Sequence, residues 1–104
     1  MTVRNFKAEL FKTLSHPLRI RLLDALRNGE QTVGALQQAL GAEQSSISQH
    51  LAALRSADIV RSRREGTMMR YSVTDPAVWQ LLDIARDIYE RQLRDRQAQL
   101  EATI

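Results

Sequence analysis

Between residues 44 and 56, hydrogen-bonding side chains stand at helical spacing. Gln44, Ser45, Ser48 and Gln49 fall on one side of such a helix, with Ala52 beside them and no acid among them. Ile47, Leu51 and Leu54 fall on the other side. Glutamine amides can pair bidentately with adenine, and serine hydroxyls donate or accept at close range. This face therefore has the chemistry to read base edges in a major groove, which is wide enough for one helix. Arg61, Arg63, Arg64 and Arg70 follow shortly after. Guanidinium groups there suit phosphates or a minor groove. A solvated edge ribbon kept from aggregating by charge would look the same. Arg19 and Arg55 are further backbone candidates. His50 either touches a phosphate or sits hydrogen-bonded within the domain. Ser46 and His50 share a helix face and invite a hydrolytic reading, but no acid partner is implied. No enzyme is expected.

The elements that must position these groups can be read from periodicity. Phe6, Leu10, Phe11 and Leu14 predict a one-sided helix over about 4–14. Ser15-His16-Pro17 interrupts it, because the residue before proline is pushed out of the helical region. Pro17 then suits the first turn of a second helix, about 17–27, closed by Asn28-Gly29. Thr32 caps a short third helix, 33–40, and Gly41-Ala42 is a tight break before the polar-faced helix at about 44–56. At Asp58 the period changes. Ile59 and Val60 open a strand, Glu65-Gly66 supplies a hairpin turn, and residues 68–73 return. Tyr71 and Val73 share one face of the returning strand; Arg70 and Ser72 share the other. Met68-Met69 are expected to fill a gap against the core. A last helix covers about 76–97, with Val78, Leu81, Leu82, Ala85, Ile88 and Tyr89 on its apolar side. The expected fold class is mainly α with a β-hairpin wing, a winged helix-turn-helix in one domain, 1–104.

Composition narrows the function classes. The 104 residues carry 15 Lys plus Arg and 12 Asp plus Glu, a net charge of +3. Residues 1–73 hold 11 basic and 6 acidic groups (11 − 6 = +5), and residues 74–104 hold 4 and 6 (4 − 6 = −2). The basic excess lies with the polar-faced helix and hairpin, which fits a polyanion surface on that part. With no cysteine there is no disulfide, thiolate metal site or thiol nucleophile. No apolar run is long enough to span a membrane, and the first residues lack a signal-peptide pattern. The expected compartment is the cytoplasm.

Three blocks carry a family resemblance. They are Ser15-His16-Pro17-Leu18-Arg19-Ile20-Arg21-Leu22-Leu23, then Ser45-Ser46-Ile47-Ser48-Gln49-His50-Leu51-Ala52-Ala53-Leu54, then Ile59-Val60-Arg61-Ser62-Arg63-Arg64-Glu65-Gly66 with Tyr71. Together they resemble the ArsR/SmtB family of bacterial winged helix-turn-helix repressors over about residues 5–95. The resemblance implies a homodimer that binds double-stranded operator DNA near its own promoter and represses it. It also implies that the first and last helices form the dimer interface, near Phe6, Leu10, Leu82, Ile88 and Tyr89. Many members sense metals. One group does so with cysteines in a stretch matching Glu30-Gln31-Thr32-Val33-Gly34-Ala35-Leu36, but Thr32 and Gly34 stand at the thiolate positions here. Another group uses Asp and His on the last helices, where this chain has Asp75, Asp83, Asp87 and Glu90 but no His. No metal and no cofactor is expected; an organic, sulfur or protein inducer is left open. A winged helix that binds only proteins is the rival class.

Overall fold

A computed structural model describes residues 1–103. Helix α1 spans Val3–Leu14, and the Thr2 hydroxyl caps it by accepting from the Asn5 amide at 3.1 Å. Helix α2 spans Pro17–Ala25 behind an extended His16, as the proline demands. It stops two residues short of the expected Arg27. There the Leu26 amide is shared between the Leu22 and Leu23 carbonyls at 3.1 and 3.2 Å, which tightens the last turn and ends it. Helix α3 is Val33–Leu40, with Thr32 Oγ1 accepting from the Ala35 amide and Gly41 closing it in the left-handed region at φ 64°. Helix α4 is Gln44–Ser56.

The wing follows as β2, Val60–Glu65, and β3, Met68–Val73, paired antiparallel with Val60 opposite Val73 and Glu65 opposite Met68. That register places the turn at Gly66-Thr67, one residue later than the expected Glu65-Gly66. Gly66 has φ 62° while Thr67 is not in the positive region, the pattern of a hairpin turn with glycine at its first central position. A two-residue strand β1, Gln31–Thr32, pairs with β3 on its free side, so the sheet order is β1-β3-β2. Met68 stands 50% exposed near the hairpin tip, not against the core. The fold is the expected winged helix-turn-helix, mainly helical with a small sheet.

Leu22 and Leu23 of α2 and Ile47, Leu51 and Leu54 of α4 have no exposed surface at all. Leu36 of α3 joins them, and Ile59, Val60 and Val73 carry the same core into the base of the wing. Helix α5 runs Ala77–Ala102, past the expected end near 97. Its start is anchored to α2: Trp79 Nε1 donates to the Leu23 carbonyl at 2.7 Å, and Arg27 donates to both Asp83 oxygens at 2.8 and 3.2 Å. Val78 is its buried residue, and beyond Leu82 the helix is almost entirely exposed. Twenty-six residues make a rod of about 39 Å. The radius of gyration is accordingly 17.0 Å, against about 13 Å for a compact chain of this length. Among the described residues no helix is long and apolar enough to cross a membrane.

Candidate nucleic-acid interface

Helix α4 is presented by its neighbours on three sides. Ile47, Leu51 and Leu54 lock it onto α2 and α3, and the outward side is left to solvent. Gln44, Ser45, Ser48, Gln49, Ala52 and Arg55 are all exposed on that side, so the structure groups the residues that the spacing placed together. No acidic residue lies within α4. The end of α4 is closed by two bonds: the Asp58 amide donates to the Arg55 carbonyl at 3.0 Å, and the Ile59 amide to the Leu54 carbonyl at 2.9 Å. This double closure requires a left-handed residue, and Asp58 supplies it at φ 59° without being glycine. Ile59 and Val60 then enter the core at once, which sets the wing beside α4.

His50 and Arg19 have a place that the sequence did not disclose. Arg19 Nε donates to His50 Nδ1 at 3.1 Å, and its Nη1 donates to the Thr13 carbonyl at 3.0 Å. The His16 ring lies 5.6 Å from that of His50, centroid to centroid. One arginine thus ties the end of α1, the start of α2 and the inner edge of α4. The accepting Nδ1 carries no proton, so the ring is neutral with its proton on Nε2. Burial, then the Arg19 charge, then His16 push the His50 pKa below its ordinary value. A histidine depressed in the fold stabilises fully above its unfolded pKa near 6.5 and loses that contribution as pH falls toward the folded value. Urea melts should therefore show stability falling from about pH 6.5 downward. His50→Asn keeps an acceptor near Nδ1 and should flatten that acid limb; an unchanged limb would show that other groups cause it.

The four wing arginines differ in their surroundings. Arg63 donates to both Glu30 oxygens at 2.8 to 3.0 Å and to Glu65 at 2.9 Å, and Arg70 donates to Glu65 at 3.1 Å. The Arg63 guanidinium holds Glu30 below the usual carboxylate range, and Arg63 itself is pushed up by its two carboxylates. Arg61 reaches Ser72 Oγ at 3.4 Å. Arg64 is exposed and forms no ion pair among the described residues. Sequence reasoning missed Glu30 as a partner, because 33 residues separate it from Arg63. It also left Tyr71 aside: the alternation put it on the face of Val73, and the structure sets it beside Ser48, Ala52 and Arg55 of α4.

Away from this surface, α1 and α5 carry the residues expected at a dimer interface. Phe6, Ile88 and Tyr89 are 54, 46 and 64% exposed. Leu10 and Leu82 are half-buried against the core. Val3, Phe11, Ile84 and Leu93 add to the exposed apolar surface of these helices. Among the described residues no three His, Cys, Asp or Glu side chains gather as a metal cluster. Asp83 is committed to Arg27, which holds its carboxyl below the ordinary range. Ser46 makes no hydrogen bond to His50, whose accepting nitrogen is taken by Arg19.

Comparison with known proteins agrees with this architecture. Residues 16–62, from the start of α2 into β2, match the model of the arsR family of bacterial regulatory proteins. The HTH-type transcriptional regulator Rv0081 of Mycobacterium tuberculosis is 47% identical over 96 residues, 91% of this chain and 84% of its own. Its crystal structure superposes with a TM-score of 0.81 at 43% identity, covering 92% of this chain and 97% of that one. A biofilm growth-associated repressor of Xylella fastidiosa is 40% identical over 85 residues, 82% of this chain and 75% of its own. The domain Mb0332 of Mycobacterium bovis, described as a homodimeric winged helix-turn-helix DNA-binding domain, superposes with a TM-score of 0.77 at 31% identity, covering 88% of this chain and 84% of that one. With its helical order, wing and central motif all shared with these regulators, the chain belongs to the ArsR family of bacterial winged helix-turn-helix transcriptional regulators.

Proposed function

We propose that this chain acts as a homodimer that binds operator DNA by sequence and represses its own or a neighbouring operon. The observation that carries the reading is the outer side of α4, exposed, free of acids and backed by residues with no exposed surface. A rigid helix with short polar groups outward is what a major groove admits. In this reading Gln44, Ser45, Ser48 and Gln49 meet base edges, and Arg55 with Arg61 and Arg64, the wing arginines outside any ion pair among the described residues, supplies the positive field along the backbone. Arg19 and His50 serve the interface by holding α4 in place as much as by any phosphate contact. Two copies joined through α1 and α5 set their α4 helices about 34 Å apart, one turn of DNA. The M. bovis relative, described as a homodimer, and the X. fastidiosa relative, described as a repressor, support the same reading.

The test is protection of the DNA upstream of its own gene by the purified protein, against a random duplex of equal length. Gln49→Ala should cut the preference for the protected site by about ten- to a hundredfold, since one good bidentate pair discriminates by about 1–3 kcal/mol. Binding to the random duplex should change little. Equal binding of both duplexes by the unaltered protein would sink the base-reading assignment. Binding to neither would favour a protein partner for the same face.

A further inference from the structure

The register of the wing separates its side chains into two sets. Val60 and Val73 pair and are buried, so their side of the hairpin faces the core. By alternation Ser62, Arg64, Met69 and Tyr71 lie on that side, and Arg61, Arg63, Glu65 and Arg70 on the other. On the first side, Tyr71 meets the outer face of α4 across an open depression of about 350 Å³, lined by Ser48, Ala52, Arg55, Ser56 and Tyr71. Among the described residues Arg55 makes no ion pair, and Tyr71 is half-buried beside it. The depression thus offers an uncommitted guanidinium and several hydroxyl donors beside the groove-reading face. On the second side the two carboxylates of Glu30 and Glu65 occupy Arg63 and Arg70. Three guanidinium groups there share two carboxylates, so Arg63 and Arg70 are already engaged.

We infer that the two sides of the wing have separate roles: the corner between Arg55 and Tyr71 takes a DNA backbone phosphate, while Arg63 and Arg70 are positioning residues that hold the wing at its angle through Glu30 and Glu65. The inference rests on the DNA-binding reading above. A charged donor released from solvent onto a phosphate displaces a counterion; a hydroxyl does not. An exposed ion pair adds little stability, but a bidentate one fixes direction. The Glu30 pair ties β2 across the sheet to the strand entering α3.

The experiment is a salt titration of binding, on the upstream region of the protein's own gene and on a random duplex, with folding checked by circular dichroism. Arg55→Gln should lower the slope of log K against log salt by about 0.9. Tyr71→Phe should weaken binding several-fold at unchanged slope. Arg63→Gln should leave the slope unchanged. Arg63→Glu should weaken binding, and the charge swap Glu30→Arg with Arg63→Glu should restore it to within about threefold. Restoration is the readout that a phosphate-contacting Arg63 would fail, since the swap leaves an acid at that position. Unaltered protein that binds neither duplex overturns the DNA reading and this inference with it. Unaltered protein that binds, with the slope falling in Arg63→Gln and not in Arg55→Gln, or with no restoration by the swap, overturns this inference alone.

Discussion

Ile88→Glu is expected to convert the protein to monomers and to weaken binding to its operator by about a hundredfold or more, the loss that follows when two linked contacts become one. Ile88 is 46% exposed in the single chain and lies on the unsupported part of α5. An exposed apolar row on a rod that leaves the body of the fold marks an interaction surface. A second copy would cover it, and by two-fold symmetry each substitution would place a carboxylate in that seam twice. Burying a charge without a partner costs several kcal/mol, roughly the scale of a modest dimerisation energy. Asp87 and Glu90 already flank the site with like charge, and Arg91, three residues on, is the cation within helical reach. The helical core contains no atom of Ile88, so circular dichroism should show an unchanged fold at high protein concentration. Sedimentation then decides: a variant that still sediments as a dimer would place the interface elsewhere.

Leu51→Ala has the second large expected effect. Leu51 has no exposed surface and sits between Ile47 and Leu54 on the inner side of α4. Truncating a buried leucine costs about 2–5 kcal/mol, the transfer of the lost methyl groups plus the cavity that remains. A domain of this size has about 5–15 kcal/mol in total, so the loss is a large fraction of it. Urea denaturation at fixed protein concentration would measure it, because dimer formation makes the midpoint concentration-dependent. A cost under about 1 kcal/mol would mean that the surrounding leucines collapse into the space. DNA affinity measured well below the transition should change far less than stability, since no groove-facing atom is removed.

Much of this architecture is legible in the residues, and the failures have definite causes. The bounds of α3 and α4 follow from Thr32, Gly41 and the spacing of Ile47, Leu51 and Leu54, all local signals. Helix α2 ends two residues before the point that the Asn28-Gly29 signal marks, because a shared amide at Leu26 closes it first. Strand β1 was invisible, since two residues have no period and Gln31-Thr32 becomes a strand only beside β3. The exposed side of α4 was legible from periodicity alone. The partners of Arg19 and Arg63 were not, because those contacts span 31 and 33 residues of chain and depend on the assembled fold. Charge patterning shows where arginines are, not which carboxylate has already claimed them.

The left-handed Asp58 has a consequence for how such a protein can change over time. Its conformation is tolerated by glycine and by short polar residues and strongly opposed by β-branched ones. The position is therefore narrow in what it accepts, and the angle between α4 and the wing is inherited with it. The outward side chains of α4 are under no such restriction from the fold, since the core is built by the opposite side. A lineage can rewrite the letters at Gln44, Ser45, Ser48 and Gln49 while keeping the same elbow. What is recognised and how the protein is docked are written in different residues, and so are free to diverge at different speeds.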